Sequence, residues 1–372
     1  MRADLAQIEI PGAAEAEERA SRVVLAAFAE RMPDPVRRRR AFRPVVAVAV
    51  GVAIVAAALS PPGRAVVNHV RRVVGIDHAS LALFSLPAQG RLLVRSDAGI
   101  WTVRADGSRR LLGRYDEASW SPFGRYVVAA RQNELAALDS RGTVRWTLAR
   151  PDVRFPRWAG SQSDTRIAYL TGSRLHVVAG DGTQDVDIGG LPAAARVAPA
   201  WQNGFGFVLA YADTRSRVTA FMTSKGSLLW TRATPDGTRS VEWSSDGEQL
   251  LVLSDDRIST RTASTGAVIG SRPAAGVVAV AFRPGTHEIA ALRLSPSGSQ
   301  VRFAGRTLFS FAGALRGLTW SPDGRWLLVG SPESDQWVFV RADGRKIVAV
   351  SNVSAQFGSK TFPRVEGWCC GT

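Results

Sequence analysis

Trp320-Ser321-Pro322-Asp323-Gly324-Arg325, followed at once by the apolar run Trp326-Leu327-Leu328-Val329-Gly330, is the stretch that decides the fold. It reads as an aromatic residue ending one short strand, a tight turn, and the start of a second strand. The same pattern recurs upstream. Trp120-Ser121-Pro122-Phe123-Gly124-Arg125 precedes YVVAA, Trp158 precedes a looser turn and RIAYL, and Trp201-Gln202-Asn203-Gly204 precedes FGFVLAY. Trp243-Ser244-Ser245-Asp246-Gly247 precedes EQLLVLS, and Phe282-Arg283-Pro284-Gly285 precedes HEIAALR. Successive aromatics are 38, 43, 42, 39 and 38 residues apart. A period near 40 residues, with about four short strands per unit, is the signature of a β-propeller blade.

The rest of each unit supports this. Third and fourth strands are joined by Gly-containing turns in IWTVRADGSRRLLG, ELAALDSRGTVRWTLA, RLHVVAGDGTQDVDI, RVTAFMTSKGSLLWT, RISTRTASTGAVIG and WVFVRADGRKIVAV. Asp-Gly at 106–107, 181–182 and 343–344 is expected to supply the positive φ angles of tight hairpin turns. The first unit has RLLVRS (Arg91 to Ser96) and two further strands but no aromatic strand before them. FPRVEGWC (Phe362 to Cys369) repeats VRFPRW (Val153 to Trp158) and places Trp368 where the repeat aromatic belongs. The fold expected is therefore all-β: a seven-bladed propeller over 86–372 whose first blade is completed by a C-terminal strand, leaving no open sheet edge. The repeat residues Trp120, Trp158, Trp201, Trp243, Phe282, Trp320 and Trp368 are read as structural, packing between blades. Ser, Asp246, Asp323 and the glycines are read as turn formers, with Asp181 and Asp343 in exposed hairpin turns.

The region before the repeats divides in three. Val45 to Leu59 is uncharged and would make a helix of roughly 25 Å, short for a bilayer but tolerable with snorkelling flanks. Arg37, Arg38, Arg39, Arg40 and Arg43 precede it, so the positive-inside rule puts the N-terminus in the cytoplasm and the propeller outside. The organisation expected is a cytoplasmic basic tail (1–43), a single-pass transmembrane helix (44–60), a juxtamembrane amphipathic linker (61–85) and the extracytoplasmic propeller. The long leading segment favours an uncleaved anchor over a cleaved secretory signal. Ala14 to Met32 reads as a short amphipathic helix, either lying on the membrane or docking a cytoplasmic partner. Val66, Val67, Val70, Val73 and Val74 form the apolar face of a second helix ended by Gly75.

WSPDG followed by an apolar strand resembles the repeat of TolB-type and related WD-like propellers, over roughly Leu86 to Trp368. The Gly-His and Trp-Asp dipeptides of true WD repeats are absent. Gly142 to Trp146 and Gly226 to Trp230 also resemble the Gly-x-x-x-Trp element of quinoprotein-type propellers, in two units only. The whole chain is similar to membrane-anchored propeller proteins of actinobacterial type, a resemblance that implies an architecture and no activity.

The 372 residues include 47 Lys and Arg against 32 Asp and Glu, a net charge of +15. Lysine occurs three times, so the excess is arginine of the kind a GC-rich genome produces, and nucleic-acid binding is not expected of it. Cys369 and Cys370 are adjacent and poorly placed for an ordinary disulfide, so free or adventitiously oxidised thiols are expected. None of His69, His78, His176 and His287 lies at ligand spacing to another histidine, cysteine or acidic residue; no metal centre or cofactor is expected. No Gly-x-Ser-x-Gly elbow occurs. The function this supports is a non-catalytic scaffold or sensor binding a protein, peptide or envelope ligand. The alternatives are a propeller hydrolase or quinone-dependent oxidoreductase with its site in the central channel, and an anti-sigma-like transmembrane regulator.

Overall fold

The computed structural model describes residues 85–370, apart from 162, 189–192, 195–196, 204–206 and 236. The expected tail, transmembrane helix and all but the last residue of the linker, with Arg37 to Arg40 and Arg43, lie outside the described residues. Among the described residues no helix is long and apolar enough to cross a membrane.

Seven four-stranded antiparallel sheets are present. Blade one combines β1 (Arg91–Ser96), β2 (Gly99–Val103) and β3 (Arg109–Gly113) with the last strand of the chain, β28 (Arg364–Cys369), at its inner edge. Blade two is β4 (Glu117–Trp120), β5 (Tyr126–Arg131), β6 (Glu134–Asp139) and β7 (Val144–Ala149). Blade three is β8 (Val153–Gly160), β9 (Thr165–Thr171), β10 (Arg174–Ala179) and the short β11 (Val186–Asp187). Blade four is β12 (Ala200–Trp201), β13 (Val208–Ala212), β14 (Arg217–Met222) and β15 (Ser227–Ala233). Blade five is β16 (Ser240–Trp243), β17 (Gln249–Leu253), β18 (Arg257–Thr262) and β19 (Val268–Pro273). Blade six is β20 (Val277–Phe282), β21 (Ile289–Ser295), β22 (Gly298–Phe303) and β23 (Arg306–Phe311). Blade seven is β24 (Arg316–Trp320), β25 (Trp326–Ser331), β26 (Gln336–Arg341) and β27 (Ile347–Ser351), and a single turn of helix, α1 (Val353–Gln356), leads back toward β28.

The inner strands touch in a closed cycle, β28 to β4, β8, β12, β16, β20, β24 and back to β28. That cycle is the ring, and its last link is non-covalent: β28 pairs with β1 through Leu92 opposite Trp368 and Arg91 opposite Cys369. Alternate residues of each central strand serve two interfaces, which is why these strands read as continuous apolar runs. In β5, Val127 and Ala129 pack toward blade one while Val128 and Ala130 pack toward blade three. In β1, Leu93 faces blade two whereas Leu92 and Val94 face blade seven. One such cluster fills each of the seven interfaces.

The repeated turn is built the same way in three blades. Ser321 Oγ accepts from the Trp326 N–H at 2.9 Å and donates to Asp323 Oδ1, whose carboxylate also accepts from the Arg325 N–H at 3.1 Å. Ser244 and Asp246 repeat this with Gln249 and Glu248, and Ser121 makes the same bond to the Tyr126 N–H. The hairpin turns correct one expectation. At Asp106-Gly107, Asp181-Gly182 and Asp343-Gly344 only the glycine has positive φ, 81°, 86° and 73°. The aspartate keeps an ordinary backbone and instead accepts, as Asp106 does, from the N–H two residues on. Each is a turn closed by a left-handed glycine, not a two-residue mirror-image turn. The hairpin with two positive φ values is in blade six, at Ala304 (47°) and Gly305 (74°), where no Asp-Gly announces it.

The cysteines take the oxidised of the two forms expected. Cys369 and Cys370 are joined to each other, and no free cysteine occurs among the described residues. Cys369 ends β28 and Cys370 takes φ of 62°, so the chain leaves the strand in a turn that brings two consecutive side chains together.

Candidate functional site

Because strands alternate in direction, all seven inner strands begin at one rim of the ring. This entry face carries the links from each outer strand to the next inner strand and the turns between second and third strands. The repeat aromatics lie at the opposite end of the inner strands. Trp120, Trp201, Trp243, Phe282, Trp320 and Trp368 are buried, each in the cluster toward the preceding blade. Trp158 is half-buried and stacks on Tyr126 at 6.1 Å.

Their indole N–H groups divide the ring. Trp201 donates to the Arg157 carbonyl at 2.9 Å, Trp243 to the Ala200 carbonyl at 3.1 Å and Trp320 to the Ala281 carbonyl at 3.5 Å. In each case the acceptor is the residue before the preceding blade's aromatic. Trp368, Trp120 and Trp158, in blades one to three, have no acceptor among the described residues. Side chains take over part of this linkage: the Trp158 backbone N–H donates to Ser119 Oγ at 3.2 Å, and the Phe155 backbone N–H donates to the Glu117 carboxylate. In blade six, where phenylalanine cannot donate, the Phe282 N–H donates to Glu242 Oε1 at 3.1 Å.

Blades one to three also bring several charged groups together on the ring. Arg95 Nε lies 3.4 Å from Glu366 Oε1. Burial raises the Glu366 carboxyl above the usual range, opposed by Arg95 and Arg157 and reinforced by Glu117. Burial lowers Arg157, which Glu366 and Glu117 partly offset. Glu366 is the bulged residue of β28, since the register with β1 slips between Leu93 and Val94; the bulge aims its side chain away from the interblade core.

Above this set, on the entry face, blades seven, one and two enclose a cavity of about 1000 Å³. Arg114 and Asp116 come from the link into blade two, and Arg316 from the start of β24. Arg95 to Asp97 come from the end of β1, and Thr361 to Glu366 from the link into β28. Leu328, Trp337, Phe362 and Val365 give it apolar walls. At the mouth β24 departs from regular pairing between Arg316 and Thr319. Gly317 there has φ of 69°, and a Cβ would meet nothing within 4 Å.

The acids of the cavity are largely engaged. Asp97 accepts from the Thr361 hydroxyl at 2.6 Å and from the Thr361 and Lys360 N–H groups at 2.9 and 2.7 Å. These bonds, the hydroxyl first, hold its carboxyl at about 2, so Asp97 is a fixed anion stapling the closing segment to the β1–β2 turn. Glu366 is held by Arg95, whose guanidinium also donates to the Asp116 carbonyl at 2.8 Å. Arg114 and Arg316 are exposed, and neither has an ion-pair or hydrogen-bond partner for its guanidinium among the described residues. The cavity therefore offers three exposed arginines, Arg114, Arg316 and Arg364, against the exposed carboxylate of Asp116, over an apolar wall.

The opposite face holds a cluster that sequence spacing hid. His287 Nε2 is 2.7 Å from Asp246 Oδ2, and ligand atoms of Asp246, Glu248 and His287 all lie within 4.8 Å of one another. Residues one repeat apart become neighbours, so an interval of 41 in sequence is adjacency in space. The group is exposed and knitted to itself: Asp246 Oδ1 accepts from Ser244 and the Glu248 N–H, and His287 Nδ1 is 2.9 Å from Gln249 Nε2. Asp246 is held at about 2, chiefly by the Ser244 hydroxyl. His176 is instead packed on Tyr169 at 5.2 Å and bonded to Thr171, with burial lowering its pKa.

No protein-family profile matches the chain, and no curated protein matches it. Solved structures do. A chain of the mitotic checkpoint complex is 15% identical with a TM-score of 0.52, covering 83% of this chain and 98% of that one. The β-propeller domain of Cps50 (Swd1) from Myceliophteria thermophila is 13% identical with a TM-score of 0.50, covering 70% and 99%. Hydrazine synthase from Kuenenia stuttgartiensis is 15% identical with a TM-score of 0.50, covering 62% and 77%. At these identities the likeness is one of fold, and the chain is a seven-bladed β-propeller.

Proposed function

We propose that this protein is a non-catalytic binding module that holds an acidic segment of another protein in the entry-face cavity of blades seven, one and two. The observation that carries the reading is the imbalance of the lining: Arg114 and Arg316 have no partner among the described residues and Arg364 is exposed beside them, while Asp97 and Glu366 are engaged and Asp116 is an exposed carboxylate. An extended acidic peptide fits a groove of this size, with carboxylates on the arginines and an apolar side chain against Leu328, Trp337 and Phe362. The likeness to a chain of the mitotic checkpoint complex is consistent with a protein-binding use of the same fold. A labelled acidic peptide with one aromatic residue is expected to bind the protein with an affinity that weakens as salt rises. Replacing both arginines, as Arg114→Glu with Arg316→Glu, is expected to weaken it at least tenfold, about 1.4 kcal/mol or more. Equal binding by the double variant in fluorescence anisotropy would sink the reading.

The enzyme alternative has less support. Three acids line the cavity: Asp97 is stabilised as a carboxylate far below neutral pH, Glu366 is tied to Arg95, and Asp116 is an exposed carboxylate, so no buried pair of acids is placed for acid–base work.

The proposal extends to placement. The basic flank Arg37 to Arg43 and the uncharged run Val45 to Leu59 support a single-pass anchor with the propeller outside the cytoplasm and the tail available to a cytoplasmic partner, the arrangement an anti-sigma-like regulator would use. The protein should sediment with membranes and resist carbonate extraction. Protease added to intact spheroplasts should digest the propeller but leave an N-terminal tag protected. Digestion of the tag in intact cells, or a soluble full-length chain, would refute this placement.

A further inference from the structure

Arginine also gathers away from the entry-face cavity. Between blades five and six lies a groove of about 270 Å³ whose lining includes Arg272, Arg293 and Arg302 and no carboxylate. The three come from different strands. Arg272 is near the end of β19, opposite Ile258. Arg293 is in β21, opposite Gln300, and Arg302 is in β22, opposite Ala291. Residues 289, 291 and 293 alternate onto one face of blade six, and Arg302 stands on that face beside Ala291. The small side chain of Ala291 thus leaves a recess that Arg293 and Arg302 flank, with Arg272 reaching in from blade five.

Among the described residues nothing neutralises this trio. Among the described residues none of the three guanidinium groups has a hydrogen-bond or ion-pair partner. Elsewhere on the propeller arginines do find carboxylates, as Arg283 does with Glu288 at 3.0 Å, Arg239 with Asp255 at 3.1 Å and Arg150 with Asp185 at 2.7 Å. Arg272 is partly desolvated, and the neighbouring Arg302 repels it; both effects lower its pKa. All three side chains are exposed at the groove, and an anion entering it would meet three guanidinium groups and relieve the repulsion between Arg272 and Arg302.

We propose that the groove between blades five and six is a binding site for a phosphate group, formed by Arg272, Arg293 and Arg302. A dianionic phosphate presents three terminal oxygens and a charge of roughly −1.5 to −2 at neutral pH, enough to engage more than one guanidinium fork. A single carboxylate has two oxygens and one charge, and would leave part of the trio unneutralised. The volume is slightly below the usual range of small-molecule pockets, about 300–1,000 Å³, so the ligand is free phosphate or a compact phosphate monoester. Apolar Pro273, Val277 and Phe303 border the recess and would accept the short substituent of an ester.

The test uses the full-length chain. Inorganic phosphate, O-phosphoserine and acetate are titrated by calorimetry and by thermal unfolding, with chloride matching the ionic strength. Phosphate or phosphoserine is expected to bind saturably and raise Tm, and acetate to do neither. If phosphate alone does so the natural ligand is the free ion; if phosphoserine binds at least as tightly, it is a monoester. Arg302→Gln and Arg272→Gln are each expected to weaken binding at least tenfold without lowering Tm in chloride, since each removes a repulsion and no contact. Three results would overturn the site: no phosphate effect beyond that of chloride, an equal effect of acetate, or an unchanged response in both variants. Duplex DNA binding that is lost in the variants while phosphate and phosphoserine fail to bind would overturn it in favour of a nucleic-acid surface.

Discussion

Replacing Trp368 with alanine is expected to lower the stability of the propeller by about 3–5 kcal/mol, as removal of a buried aromatic does. Removing β28 by truncation after Lys360 is expected to abolish cooperative unfolding. Trp368 sits in the cluster shared by blades one and seven, with Phe339 edge-on at 5.6 Å and Leu92 opposite it across the pair of strands. Every other blade is made from one continuous segment, so the ring is held shut only where β28 enters beside β1. Without it, β1 becomes an exposed edge with unpaired backbone groups, and the interface with blade seven loses its inner part. For a domain of this size each kcal/mol moves Tm by roughly 2–4 °C, so Trp368→Ala should unfold some 10 °C lower in a calorimetric scan. The truncated chain should aggregate or melt without a sharp transition. A Tm within 2 °C of the parent for Trp368→Ala, or a cooperative transition for the truncated chain, would show that the ring does not depend on this closure.

That strand was legible in the sequence because FPRVEGW repeats VRFPRW, and a fold assembled from one repeated unit shows its period wherever the unit recurs. The blade count, the paired strands and the Ser-Asp turns follow from the same period. What period does not encode is the small departures that make one part of the ring unlike another. The bulge at Glu366, the irregular start of β24 and, among the described residues, the indoles without an acceptor in blades one to three depend on single residues whose neighbours differ. The entry-face cavity draws Arg114, Arg316 and Arg364 from three places along the chain, and no local pattern joins them. His287 and Asp246 were recoverable in principle, by reading down the column of repeats one period apart instead of along the chain.

Charge shows the limit most plainly. Residues 85–372 carry 35 Lys and Arg against 24 Asp and Glu, so most of the net charge belongs to the propeller and not to the basic run at Arg37 to Arg43. A compositional surplus of arginine scattered in sequence becomes functional chemistry where strands from different blades bring unpaired guanidinium groups together. Arg272, Arg293 and Arg302 are never closer than nine residues in the chain, yet they line one groove. The fold decides which of the arginines lack a partner among the described residues.

Glu242 is the residue whose replacement should stabilise the protein most. It lies in β16 on the inner ring, and burial pushes its carboxyl from the ordinary 4.5 up to about 7, against the single backbone N–H it accepts from Phe282. A carboxylate raised in the folded state costs stability as it ionises. Below pH 4.5 it is protonated both folded and unfolded, and no penalty applies. Between pH 4.5 and about 7 the unfolded chain releases its proton while the folded one keeps it, so stability falls as pH rises; above about 7 the loss is constant. One unit of pKa corresponds to about 1.4 kcal/mol, so the full rise would be worth about 3 kcal/mol. Glu242 is half-buried and not sealed, and solvent screening reduces this to about 2 kcal/mol. Glu242→Gln keeps the oxygen that accepts from Phe282 and removes the ionisation. In urea unfolding across pH 4 to 8.5, the variant should match the parent near pH 4 and exceed it by about 2 kcal/mol at pH 8. The difference between the two curves isolates this group from others that titrate in the same range, including Glu366, whose raised pKa has the same sign. A gap that does not change with pH would show that Glu242 ionises in the folded protein as freely as in the unfolded chain.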